Sequence, residues 1–399
     1  MGEVCDWILS GLAPPLPCEE ERPAEREDYQ DHIANSLDIL RQIQASDNIS
    51  ENTVPSIVLL CSQHCSCSWE QDSELLPWSS EEHQEISDQL ISVIEARFLP
   101  LASLLTEADG RLFRSLLRQL QPSLVQFTRQ PGSVRSLLWL TSQVVEPPSL
   151  DPLVPLLLPH LLHWLDSWLP PCKVSGCQLA HHLATHSSPA QLKFYGRAEV
   201  VAEPLSRLLA PSTDLAVLRA AVKPLLLLTE LRDDQPCPAT PGQADKLMAA
   251  VISSLELSSE QERREVFCQL ATDILDLLGP GAARWVSPLA NIVVSMLDSF
   301  LPPPPPSAFS LLSSLASQCP ECVGRETSPL LTSLFRYLYR LSWAEEADSA
   351  RLSAVRDCLT RVATCDPPTS RRLCHGLGSA SVNNTFDNLT RDILININV

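Results

Sequence analysis

Glycine is scarce in this chain of 399 residues, at 12 positions, and aromatic side chains make up only 5% of it. Dinucleotide-binding sheets, β/α barrels and β-sandwiches spend glycine on tight turns and aromatic residues on pleated faces, so all three fit poorly. Lysine is missing from residues 1–110, where 22 Asp and Glu stand against 4 Arg; this stretch holds nearly all of the net charge of −19. The densest basic sets, Arg263 with Arg264 and Arg371 with Arg372, are only pairs. With no basic stripe to offset the acidity, a phosphate backbone is repelled, which excludes nucleic acid as the main ligand. A cationic start is also lacking: Glu3 and Asp6 precede the short apolar run that ends at Leu16, so no secretory signal is expected. The most apolar stretch, Leu153 to Leu169, is broken by Pro155, Pro159, His160, His163 and Asp166. That is too polar to span a bilayer, and the chain is predicted to be soluble.

Hydrophobic residues, mainly leucine, supply 44% of the chain, ample for a large core. The 34 prolines mostly punctuate leucine-rich blocks and read as the boundaries of many short helices. The 14 cysteines sit largely inside those blocks, as Cys268 and Cys358 do. Thiols in such places behave as small hydrophobes, so a reducing compartment is expected, the cytosol or the nucleus. Met1-Gly2 is not a myristoylation start, because Asp6 stands where Ser or Thr is needed. Without a signal peptide, the acceptor patterns at Asn48, Asn383 and Asn388 read as ordinary polar residues.

Three regions follow from charge and periodicity. Residues 1–28, with Glu19 to Glu21 and Glu25 to Asp28, look like an acidic flexible arm. Residues 29–110 form an acidic helical region with a Cys/Ser-rich loop over 61–80; Ile33, Leu37, Leu40 and Ile43 recur at helical spacing before that loop. After it, Ser79 with Glu82 suggests a capping box for a helix carrying Ile86, Leu90, Ile91 and Ile94. Residues 111–399 repeat one unit, a leucine-rich helix, a short break and another helix. Helices are predicted near 110–127, 132–145, 151–169, 173–186, 197–210, 213–230, 242–256, 259–278, 284–300, 307–318, 327–341, 346–364, 368–378 and 385–395. Ser259 with Glu262 reads as a second capping box. Val266, Phe267, Leu270, Ile274, Leu277 and Leu278 then line one helical face, and Leu289, Ile292, Val293, Met296 and Leu297 line the next. At about 1.5–3 kcal/mol for each buried aliphatic side chain, five of them only match the entropy of ordering one helix. Neighbours must therefore stack. Two helices and their breaks take about 40 residues, the spacing of HEAT and armadillo units. The predicted fold is all-α, an irregular HEAT/armadillo-like α-solenoid of stacked antiparallel helix pairs, with a globular helical bundle as the alternative. The run Pro302 to Pro306 is read as a rigid inter-helix loop in preference to a polyproline ligand.

Phosphate-cradling, nucleophile-elbow and zincin motifs are missing. Cys61, Cys65 and Cys67 with His64 gather soft ligands within a few residues, but the separated second pair that tetrahedral zinc requires is supplied only by distant Cys319 and Cys322. The Cys319/Cys322 spacing also matches redox dithiols, without the βαβ context those need. His182 and His186 lie four apart on one helix face, with no third ligand evident. The sequence therefore predicts no catalytic residue, no cofactor and no metal.

Within Leu161 to Cys365 several strings, in order and spacing, carry a resemblance: Ser175 to Leu183, Leu192 to Tyr195 leading into Arg197 to Val200, the helix Asp214 to Glu230, Ala244 to Met248, Glu262 to Leu278, Trp285 to Phe300 and Pro329 to Leu341. This half of the chain resembles the Tel-two-interacting protein two family, the smallest member of the Triple-T (TTT) co-chaperone complex. Residues 1–110 show no such resemblance. The resemblance implies a non-enzymatic scaffold that joins Tel-two and Tel-two-interacting protein one. With Hsp90 and the R2TP machinery it would support maturation of phosphatidylinositol-3-kinase-related kinases of the mTOR, ATM, ATR, DNA-PK and SMG types. Aromatic residues and arginines dominate interface energies, so Trp164, Trp168, Tyr195, Arg197, Trp285, Arg336 and Arg340 are the expected partner contacts. Two other readings compete: a different HEAT-repeat adaptor of a transport or DNA-repair complex, and a zinc- or thiol-dependent enzyme built on the cysteines above.

Overall fold

Proline starts helices in this chain more often than it ends them. It occupies the first or second helical position at Pro55, Pro131, Pro155, Pro170, Pro189 and Pro306, where its missing N–H is no loss and its fixed φ already suits the helix. The computed structural model describes residues 2–16, 24–46, 49–66, 76–232, 241–299, 302–342 and 349–378. Glu19 to Glu21, Asn48, Cys67, Asn383, Asn388 and the helix predicted over 385–395 lie outside the described residues.

Among the described residues there are helices and no strand. The first ten are α1 (Gly2–Leu9), α2 (Gln30–Ala45), α3 (Val54–Cys61), α4 (Glu81–Arg97), α5 (Leu101–Val125), α6 (Pro131–Ser142), α7 (Val154–Asp166), α8 (Pro170–His186), α9 (Pro189–Lys193) and α10 (Arg197–Arg207). They continue as α11 (Leu215–Arg232), α12 (Gln243–Leu257), α13 (Gln261–Leu278), α14 (Val286–Asp298), α15 (Pro306–Gln318), α16 (Pro320–Ser342), α17 (Ser349–Cys365) and α18 (Pro367–Gly378). The chain divides into two compact units, residues 1–205 with 223–228, and residues 206–222 with 229–399. Residues 29–110 fall within the first of these units. Position 110 marks a local break: Ala108, Asp109 and Gly110 all take positive φ inside α5.

In the second unit α12, α14 and α16 pack in sequence along one row, and α13, α15 and α17 along another, with consecutive helices joining the rows. The apolar stripes read from sequence are what the rows bury. Phe267, Leu270, Ile274 and Leu278 of α13 and Leu289, Ile292, Val293, Met296 and Leu297 of α14 are buried, while Val266 and Leu277 are half-buried at the margin. Polar groups repeat with the same period. Ser307 Oγ donates to the Glu265 carbonyl 42 residues away, Gln318 to Asp276 at 42, Arg361 to Ser317 at 44 and Ser254 to the Leu209 carbonyl at 45. In the first unit Arg41 reaches Glu82 across 41 residues and His186 the Val145 carbonyl across 41. A bond that recurs at one repeat length is the polar counterpart of the stacked leucine layers.

Residues 2–16, expected to be part of a flexible arm, are pinned. Ile8, Ala13 and Leu16 are buried, the Ala13 N–H donates to Gln63 Oε1 at 2.8 Å and the Leu16 N–H to the Arg129 carbonyl at 2.8 Å. Ala13 and Leu16 join Tyr29 and Trp78 in a small separate core. Neither predicted capping box forms. Ser80, not Ser79, caps α4, accepting from the His83 N–H; α13 begins after Glu260, so Ser259 lies outside it and makes no cap.

Candidate functional site

Asp151 builds the most exposed aromatic feature among the described residues of the first unit. Its carboxylate accepts from the Ser188 N–H at 2.8 Å and from Ser188 Oγ at 2.6 Å, and its carbonyl accepts from Gln191 Nε2 at 2.9 Å. Ser188 caps α9, and Pro189 follows at the first helical position. Arg197 closes the far end, donating to the Gln191 carbonyl at 3.3 Å with its guanidinium 5.4 Å from the centre of the Phe194 ring. The intervening turn carries Phe194 and Tyr195 with ring centres 4.0 Å apart. Tyr195 is 82% exposed and Phe194 51%.

The backbone here is strained. Tyr195 has φ +54° and Gly196 +66°. Gly196 suits that region at no steric cost, but a side chain at Tyr195 costs about 1 kcal/mol or more there. A large aromatic side chain thus stands in water on a turn fixed at both ends. Rigid aromatic surface of this kind binds with little further loss of side-chain freedom, which is a property of interaction hot spots.

The other expected contacts fall into two groups. Trp168, 64% exposed, sits between α7 and α8, and Arg336 is exposed on α16, 3.6 Å from Asp298. Trp164, Trp285 and Arg340 are tied into the fold. Trp164 is 1% exposed and belongs to the core, because it lies on the apolar stripe of α7 with Leu157 and Leu161. Trp285 is half-buried, and its Nε1 donates to Asp245 Oδ1 at 2.7 Å. Asp245 is itself buried, and it also accepts from the Gly242 N–H at 2.8 Å and pairs with Arg284 Nη1 at 3.1 Å. Arg340 caps α14: it donates to the Ser299 carbonyl at 3.0 Å and to that of Leu297 while lying over the Tyr337 ring. The structure brings Tyr195 and Arg197 together. Asp151, Phe194 and Asp245 were not singled out from the sequence. Only Phe194 left a signal there, as an apolar residue in the Leu192 to Tyr195 string.

The described cysteines of the two predicted sets lie in or beside helices. Cys61 and Cys65 are buried, and burial pushes the Cys61 thiol up to about 12 and the Cys65 thiol well above its usual range. Thiols held protonated are weak nucleophiles at neutral pH. Burial also raises the Cys319 thiol, which precedes α16, with Cys322 on that helix's first turn. Among the described residues no three His, Cys, Asp or Glu side chains converge as metal ligands. His182 and His186 donate to the Val144 and Val145 carbonyls at 2.9 and 2.8 Å, so the pair fastens the segment after α6. Among the described residues no single helix is long and apolar enough to cross a membrane.

These features define a helical-repeat protein of the HEAT and armadillo type, an α-solenoid that carries an exposed aromatic turn. Solved structures agree with that class. The karyopherin Kap121p, bound to the extreme C-terminus of the protein phosphatase Cdc14p, superposes with a TM-score of 0.58 at 12% identity, over 92% of this chain and 35% of that one. Importin beta does so with a TM-score of 0.51 at 12% identity, over 99% and 47%. Kap95p, in a study of its RanGDP complex, gives 0.52 at 13%, over 94% and 46%. The chain thus spans less than half the length of these proteins, and at such identity the likeness is one of fold. No curated protein sequence matches significantly. The model of the Tti2 family matches residues 60–301, more than half of the chain. The chain belongs to the Tti2 family. The matched region starts inside the acidic region, earlier than the resemblance at Leu161, and stops short of Cys365.

Proposed function

We propose that the chain is a non-catalytic scaffold subunit of the TTT complex. It joins Tel-two and Tel-two-interacting protein one and, through Hsp90 and R2TP, supports maturation of phosphatidylinositol-3-kinase-related kinases in the cytosol or nucleus. The observation that carries this reading is the family match over residues 60–301. The architecture suits it: stacked helix pairs offer long surfaces to other polypeptides, and the fold needs no active site for that task. Within this reading the Phe194–Tyr195 turn, with Arg197 behind it, is the contact surface, together with exposed Trp168 between α7 and α8. The test is affinity purification of the full chain with mass spectrometry. Near-equal recovery of both Tel-two partners supports the reading, and their absence under gentle conditions ends it. Recovery of a different assembly would favour an adaptor of another complex.

A further inference from the structure

A group of ionisable side chains outside the aromatic turn has no part in that reading. His64, in the turn after α3, stacks on His83 of α4, with ring centres 4.7 Å apart and planes 28° from parallel. Both residues are buried. The hydrogen bonds around them fit neutral rings. His83 Nε2 lies 3.0 Å from Ser36 Oγ on α2, and that hydroxyl donates onward to the His32 carbonyl at 2.9 Å, so Nε2 carries the proton and Ser36 accepts it. On the other side Ser80 Oγ, at 2.7 Å, donates to His83 Nδ1. His64 Nδ1 lies 3.1 Å from Ser79 Oγ, while its buried Nε2 has no hydrogen-bond partner among the described residues. A bare nitrogen lone pair is tolerable in that place; an N–H without an acceptor is costly.

We infer that α2, α3 and α4 are joined by a proton-sensitive latch: the His64–His83 stack, closed by Ser36, Ser79 and Ser80, holds while both rings are neutral and opens when they take up protons. A second proton on His64 would point an N–H at no acceptor, and a second proton on His83 would break the bond from Ser80. The charged surroundings do not rescue the cations. His32 on α2 and Arg135 on α6 oppose charge on His64; His32 and Arg26, whose guanidinium donates to the Ser79 carbonyl at 2.9 Å, oppose it on His83. Arg135 Nη2 donates to the Cys65 carbonyl at 2.7 Å, so this cation is fixed beside the stack. The Ile33 carbonyl and then Glu82 favour charge on His83, but burial outweighs both, and Glu82 is itself engaged by Arg41 at 2.9 Å. Exposed Asp88 and the buried Cys61 and Cys65 thiols complete the set, and those thiols are neutral at physiological pH.

Burial is the largest influence on both rings, lowering His83 from 6.5 to about 4 and His64 well below its ordinary value. With folded values below unfolded ones, the latch is at full strength above pH 6.5 and weakens as pH falls from 6.5 toward about 4. At pH 5 the difference between 6.5 and 4 at His83 alone raises the opening constant about 30-fold.

Hydrogen exchange of the full chain, read by mass spectrometry on peptides covering 54–66 and 81–97, tests this. After correction for intrinsic rates, opening of these peptides should rise at least about 30-fold between pH 7.5 and 5, the figure for one ring. The variant with His64→Gln and His83→Gln, which keeps donors and acceptors but cannot titrate, should lose that slope. An equal slope in the variant, or none in the wild type, overturns the latch. If the variant does not fold, the wild-type histidine ring signals in an NMR titration decide. Both rings should stay neutral down to pH 5.5, and titration of either near 6.5 in the folded chain refutes the inference.

Discussion

The helices α2 to α4 and the rows α12 to α17 use similar spacing with different chemistry. The rows are held by leucine layers whose polar bonds, such as Gln318 to Asp276, lie at the margins. At the junction of α2, α3 and α4, imidazoles and hydroxyls occupy the interior itself: His64, His83, Ser36 and Ser79 are all buried. Apolar layers tolerate changes of pH because the thiols buried in them, Cys268 and Cys358, are pushed up to about 12 by burial and stay neutral. A buried hydrogen-bonded cluster specifies one arrangement but loses it when a proton arrives, since each member depends on the others' donors and acceptors. Repeat length therefore sets where helices meet, and side-chain chemistry sets the conditions under which they stay together.

The largest effect should come from placing charge in the rows. Leu270→Asp buries a carboxylate without a partner, at a cost of several kcal/mol. Loss of soluble, helical protein is expected; an unchanged thermal midpoint would show that α13 is not a core helix. Next is Asp245→Ala, which strips the partner from Arg284, Trp285 and the Gly242 N–H together. A loss of about 2–4 kcal/mol is expected in urea denaturation, and a loss under about 0.5 kcal/mol would mean the carboxylate is dispensable.

The aromatic turn should separate stability from binding. Tyr195→Ala should lower partner affinity at least about tenfold, the scale of a hot-spot residue, with stability changed by no more than about 0.5 kcal/mol. Tyr195→Gly should stabilise the chain by about 1 kcal/mol, because glycine accepts the φ of +54°. A destabilised glycine variant would place the tyrosine ring in the fold instead of on its surface. The smallest effect is expected for Arg336→Ala, whose ion pair with Asp298 is exposed on both sides. Its contribution to stability should lie within about 0.5 kcal/mol.

Most helices were legible because a stripe of leucine at helical spacing says both that a helix forms and which face is covered. The predicted 242–256 is α12 at Gln243–Leu257, and 368–378 is α18 at Pro367–Gly378. The misses have physical causes. Helix α16 starts at Pro320, earlier than the predicted 327, and runs through its interior Pro329. Helix α3 is buried on nearly every side, so it shows no amphipathic stripe to read. Trp164 looked like a contact because tryptophan favours interfaces and cores alike, and only burial separates the two. The latch was not legible, since His32 with Ser36, His64, and Ser79 with His83 lie in three separate stretches of sequence that meet only where the helices do.

If this chain acts through the surface of its helical array as a TTT subunit, one aromatic side chain on that surface should govern its partners, and a paired purification shows whether it does. Wild-type chain and the Tyr195→Ala variant are purified side by side at equal folded amounts, and Tel-two and Tel-two-interacting protein one are quantified in each. Near-equal amounts of both partners are expected with the wild type and a marked loss with the variant. Absence of both partners from the wild type would contradict it.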